Sequence, residues 1–166
     1  MDTVYGTPVF QEIGGATSCP YTEGSLIDNA VLSVDVPSQI DVPFGDTAFF
    51  RFTITNASEL PDSSSNSTRT YYLDIDQNSN TESAGVQAGG NSSFPIKFTN
   101  IPRGQAVSRL VGITRPLDNT FTIEGLRFTV SGECNNDPAD ILDDQEVSVF
   151  FISQCSNINM LSLIHI

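Results

Sequence analysis

Apolar and polar residues alternate with a period of two along most of the chain. The runs are separated by clusters of Gly, Pro, Asn and Asp, the pattern of half-buried antiparallel strands. The clearest instance is Thr47 to Thr55, where Ala48, Phe50, Phe52 and Ile54 share one phase and Arg51, Thr53 and Thr55 the other, as in a strand with one face on a core. Leu32, Val34 and Val36 alternate just upstream, and beyond Pro37 a short run of Ile40 and Val42 continues; the proline predicts an edge strand that kinks. Tyr71, Leu73 and Ile75 alternate with Tyr72, Asp74 and Asp76, and after Gly89-Gly90 the residues Phe94, Ile96 and Phe98 alternate with Pro95 and Lys97. Gln105 to Ile113 is apolar in both phases and predicts a more buried strand. Phe121 and Ile123 change phase to Leu126, Phe128 and Val130 across Gly125, which predicts a β-bulge at the glycine. Val147, Val149 and Phe151 close the set.

These elements amount to about 7 to 8 short strands, with no apolar stripe of helical period long enough for a helix. The prediction is an all-β antiparallel β-sandwich with Greek-key connections, a barrel being the alternative. The Ser-rich stretch 58–68 and the acidic stretch 135–145 read as solvated loops. Residues 1–29, with Gly14, Gly15, Pro20 and Gly24 among few apolar side chains, read as a linker that holds the possible end of a preceding domain at Pro8 to Ile13. The sandwich is expected over residues 30–156. Residues 157–166 are expected to be a tail that is not native, because the run from Met160 to Ile166 looks like translated sequencing adapter. The only histidine, His165, falls in it.

Composition narrows the function classes. Twenty carboxylates against seven basic residues leave a net charge of -13, which repels phosphate backbones and anionic lipid head groups. The expectation is therefore no nucleic acid partner and no direct membrane insertion. A polar fraction carried by Ser, Thr, Asn and Gln, with a single lysine, Lys97, fits a secreted β protein, and an extracellular or cell-surface location is expected. The export signal would then lie outside this chain. With no histidine outside the tail there is no Ser-His-Asp or Cys-His pair, and no pair of carboxylates stands apart from the surface charge, so the chain is expected not to be an enzyme.

Three kinds of candidate site remain. The cysteines, Cys19, Cys134 and Cys155, lack Cys-x-x-Cys spacing and point to structural use; Cys134 and Cys155, each following a predicted strand, are the disulfide candidates, and Cys19 is left over. A possible calcium site is the second. Asp74, Asp76 and Asn78 place oxygen ligands at alternate positions, as a looped site begins, but Ser79 stands where the loop needs Gly and Gly85 where it needs Glu. Asp137, Asp140, Asp143 and Asp144 form a second acidic cluster without ligand spacing. Apart from calcium no cofactor is expected, and both groups are also explained as outward strand or loop residues. The third is a possible glycan-stacking platform from the aromatics in outer phases, Phe49, Tyr72 and Phe150, which pack equally well against an adjoining domain. Asn56-Ala-Ser, Asn66-Ser-Thr and Asn91-Ser-Ser match the N-glycosylation pattern, as chance allows in a sequence rich in these residues.

The layout Leu32-Ser-Val-Asp-Val-Pro37 followed by Val42-Pro-Phe-Gly-Asp-Thr-Ala-Phe-Phe-Arg-Phe-Thr-Ile-Thr-Asn56 resembles the opening of bacterial immunoglobulin-like repeats. Thr17-Ser-Cys-Pro-Tyr21, Phe121-Thr-Ile-Glu-Gly-Leu-Arg-Phe128 leading to Cys134, and Val149-Phe-Phe-Ile-Ser-Gln-Cys-Ser156 look like repeats of very large extracellular bacterial proteins. The resemblance covers about residues 17 to 156. It implies an immunoglobulin-like, non-catalytic structural or adhesive module whose partners are neighbouring domains of the same polypeptide and, alternatively, an extracellular glycan or protein. A carbohydrate- or calcium-dependent binding module is the alternative reading.

Overall fold

The computed structural model describes residues 29–59, 68–90, 93–115, 122–132 and 141–152. They form nine strands and no helix. In chain order these are β1 (Ala30–Val34), β2 (Gln39–Pro43), β3 (Ala48–Asn56), β4 (Thr68–Ile75), β5 (Gly85–Ala88), β6 (Ile96–Pro102), β7 (Ala106–Thr114), β8 (Thr122–Gly132) and β9 (Ile141–Ile152). One sheet has the order β1-β3-β7-β5 and the other β2-β9-β8-β4-β6. Every pair is antiparallel except β2 with β9, which is parallel. All connections but the one from β8 to β9 pass from one sheet to the other.

The two sheets form a β-sandwich because each presents an apolar face, and those faces exclude water only by packing on each other. Phe50, Phe52 and Ile54 of β3, Tyr71 and Leu73 of β4, Val111 and Ile113 of β7, Leu126, Phe128 and Val130 of β8, and Val147, Val149 and Phe151 of β9 are all buried. At its centre the Phe52 and Phe128 rings tilt against each other with centroids 4.4 Å apart. Full burial of each such side chain stabilises the fold by about 2 kcal/mol.

Several expectations are corrected. The stretch expected to be one kinked edge strand is two strands in different sheets: β1 stops at Val34 and the chain crosses over through Pro37 to β2. Proline has no N–H for a ladder, so the crossing falls there at least cost. β5 was not expected, since four residues, Gly-Val-Gln-Ala, hold too little alternation to be seen. β9 starts at Ile141, inside the stretch expected to be a solvated acidic loop, because Asp143 and Asp144 have protein partners. Gln105 to Ile113 is not uniformly buried; only Val111 to Ile113 are, and Gln105 to Leu110 are exposed. The glycine bulge is present: the β8–β9 register shifts between Ile123 and Leu126, and Gly125 has φ +59°, a conformation open to glycine at little cost.

Candidate functional site

Two polar clusters interrupt the apolar framework, one inside the sandwich and one on its surface. The inner one arises because β3 keeps its alternation one step past Ile54, so the next in-phase residue, Asn56, turns inward. Its side chain is fully buried together with Ser58 and Tyr71. Asn56 Nδ2 donates to the Ile101 carbonyl at 2.8 Å. Its Oδ1 accepts from the Ser58 N–H at 3.0 Å and from the Ser58 hydroxyl. The Tyr71 hydroxyl lies 3.0 Å from the same Oδ1 and 2.9 Å from the Asn29 carbonyl, so its one proton is shared between them. The Asn56 backbone donates to the Gln105 carbonyl at 3.0 Å and accepts from the Gly104 N–H at 2.8 Å. One asparagine thus joins the entry to β1, the end of β3, β4, β6 and the β6–β7 turn. Such a satisfied buried network specifies strand register more than it binds. The Asn56 amide is also closed to glycosylation in the folded domain, while Asn66 and Asn91 lie outside the described residues.

The outer cluster brings together one residue from each of the two acidic groups considered for calcium. Arg127 of β8 bonds Asp144 of β9 through Nε at 2.9 Å and reaches Asp76, after β4, through Nη1 at 3.5 Å. The hydrogen bond to Asp144 raises the guanidinium above its ordinary pKa, and the same bond holds the Asp144 carboxyl below the usual carboxylate range. The cation between these carboxylates is therefore an arginine. Asp76 is further committed to a turn: its Oδ1 accepts from the Asn78 N–H at 3.0 Å, and its carbonyl accepts from the Ser79 N–H at 2.9 Å. Asp74 Oδ1 accepts from the Ile75 N–H at 2.8 Å. Asp143 serves the other sheet, where its Oδ2 takes the Leu32 N–H of edge strand β1 at 2.8 Å and so clasps the sandwich shut along that side. Asp137 and Asp140 lie outside the described residues. Among the described residues no three His, Cys, Asp or Glu side chains are grouped to hold a metal ion.

The three aromatics do not make one platform. Phe49 lies on the outer face of the β1-β3-β7-β5 sheet and is 62% exposed. Its ring rests on the bare backbone of Gly112, where an added Cβ would come within 3.1 Å of Phe49 Cε1. Tyr72 and Phe150 share the outer face of the other sheet, but Tyr72 pairs beside Ser131 and Phe150 beside Thr122. At about 3.3 Å per residue these positions are more than about 20 Å apart. Lys97 caps the Tyr72 ring at 5.6 Å from its centroid. The cysteines Cys19, Cys134 and Cys155 lie outside the described residues.

Arg127 and Asn56 were not singled out as site residues from the sequence. Asn56 had a signal, since a polar residue in phase with four apolar ones is an inward polar group. Arg127 had none, because only strand pairing brings its two carboxylates to it, Asp144 from β9 and Asp76 from the turn after β4.

The fold defines the chain as a β-sandwich protein. No protein-family model matches it, and comparison with curated proteins finds no match. Among solved structures the chain is similar to AvmM, which catalyzes macrocyclization in alchivemycin A biosynthesis, with 14% identity, 79% of this chain and 93% of that chain covered, and a TM-score of 0.39. That match overturns the expectation that the chain is not an enzyme, and the expectation is withdrawn. A likeness at this TM-score carries no argument for a particular activity.

Proposed function

We propose that the chain is a structural or adhesive β-sandwich module, of the immunoglobulin-like kind, in a secreted or cell-surface bacterial protein built from several domains. The observation that carries this reading is the placement of the strand ends. Ala30 pairs with Asn56, and Leu32 bonds Asp143 near the start of β9, whereas the chain leaves β9 at Ile152 beside Pro43. Entry and exit therefore sit at opposite poles, roughly 35 Å apart along a twelve-residue strand, as suits a module strung between neighbours. Strand order supports the immunoglobulin-like part. With β2 and β6 set aside as additions, the remaining seven strands taken in chain order place the first, second, fifth and fourth in one sheet and the third, sixth and seventh in the other, the arrangement of that sandwich.

Tension between the poles would load the parallel β2–β9 ladder in shear, so that its bonds must fail together. Single-molecule pulling tests this. The domain should unfold at a higher force when held through residues 29 and 152 than when held through residues 132 and 141, which unzips β8 from β9 one bond at a time. Equal forces in the two geometries would remove the case for a tension-carrying module.

A further inference from the structure

The sheet β1-β3-β7-β5 is incomplete along one edge. β5 pairs only with Val111 to Thr114 of β7, and the chain then turns away through Gly89 and Gly90, both at positive φ. Among the described residues nothing pairs with the outer side of Ala106 to Leu110, and all five are exposed, Val107 at 39% and Leu110 at 50%. The bond from the Asn56 N–H to the Gln105 carbonyl sets the phase of the β3–β7 ladder. Since donors and acceptors alternate in an antiparallel pair, Val107 and Arg109 bond β3, while Ala106, Ser108 and Leu110 turn their N–H and C=O groups outward. A row of six such backbone groups is a template for another strand.

Charge says what kind. Between Glu82 and Asp118 the sequence has no carboxylate side chain but has Lys97, Arg103, Arg109 and Arg115, and β5, β6 and β7 all lie within that stretch. Lys97 lies over the Tyr72 ring of the other sheet and Arg115 over the Phe44 ring, so in a chain of net charge -13 the stretch from β5 to β7 brings this edge two cations, Arg103 and Arg109, and no carboxylate. Arg109 is held over the Phe98 ring, 5.4 Å from its centroid, on the inner side of the open edge. A second copy of the chain would set Arg109 and Arg103 near their own duplicates, which disfavours self-pairing. We propose that the edge from Ala106 to Leu110 accepts an extended acidic peptide, which adds as a strand in line with β5 and directs its carboxylates at Arg109 and Arg103. Main-chain bonds would give affinity and the arginines the preference for acid.

The test is fluorescence anisotropy with a fluorescein-labelled eight-residue peptide of alternating threonine and glutamate, against the same peptide N-methylated at its four central residues and a threonine-lysine counterpart. The acidic peptide should bind saturably, the methylated one at least tenfold more weakly, and the basic one not at all. Ser108→Pro removes one outward N–H at an edge, where proline is tolerated, and should weaken binding at least tenfold; Arg109→Glu should do the same. If Ser108→Pro fails to fold, Arg109→Glu and the methylated peptide decide the matter. Equal binding of methylated and plain peptides would overturn the proposal, since charge alone would then account for it. So would a lack of saturable binding, or a wild-type dimer in sedimentation that Ser108→Pro dissolves.

Discussion

The two polar clusters of the sandwich solve the same problem, joining strands distant in sequence, by opposite means. The Asn56 cluster is neutral and fully buried, and it spends amide, hydroxyl and backbone groups on one another. The Arg127 cluster is charged and partly open to water, with side-chain exposures of 27% to 39%. Inside the protein a polar group deprived of its partner has no water to turn to, so the cost of disruption is large. At the surface, water and salt ions stand in for a lost partner, and exposed ion pairs contribute little. The charged, half-open contact is thus expected to matter less than the neutral, buried one.

The largest effect should come from Asn56→Ala. It removes the acceptor of Ser58 and Tyr71 and the donor to Ile101, and it opens a small void. The expected loss is about 3 kcal/mol, from one or two buried groups left unsatisfied at 1–3 kcal/mol each. It would appear as a lower urea midpoint with an unchanged slope. Tyr71→Phe is the finer cut. It deletes one hydroxyl but strands no acceptor, because Asn56 Oδ1 keeps Ser58 and the Asn29 carbonyl keeps the Ala57 N–H. Its cost should be near 1 kcal/mol. If Tyr71→Phe costs as much as Asn56→Ala, the hydroxyl rather than the amide is the hub.

The same contrast explains what could be read from the chain. Alternation located the strands wherever three or more apolar residues kept phase, as in β3, and a glycine located the bulge in β8, because both depend on local geometry. Phase also contained the position of Asn56, since 48, 50, 52, 54 and 56 form one series, although only the apolar members attract notice. What was not legible is non-local. The crossing between sheets at Pro37 depends on which partner each half finds, and a proline permits a crossing without requiring one. The two acidic groups looked like separate oxygen-rich segments. Only the pairing of β8 with β9, which sets Thr129 opposite Asp144, and of β4 with β8, which sets Ile75 opposite Phe128, brings one carboxylate from each to the same arginine.

Acid separates the two clusters most sharply, although its effect is the smallest. The Asp144 carboxyl is held below its ordinary pKa by the Arg127 hydrogen bond. Folding therefore favours its ionised form, and that contribution is fully present above the unfolded value, about pH 4 for aspartate. It is lost as pH falls through the lower folded value. The raised Arg127 value lies beyond any working pH and adds no slope of its own. Wild-type stability should accordingly contain a component that fades below about pH 4, and Asp144→Asn should remove that component. At neutral pH the same substitution should cost only a fraction of the Tyr71→Phe effect, and less still in 1 M salt, where screening reaches about 3 Å. The loss from Asn56→Ala should be the same at either salt concentration, since no charge takes part in it. A difference between wild type and Asp144→Asn that survives high salt undiminished would mean that Asp144 acts through packing or neutral hydrogen bonding, and that the surface cluster works by the same physics as the buried one.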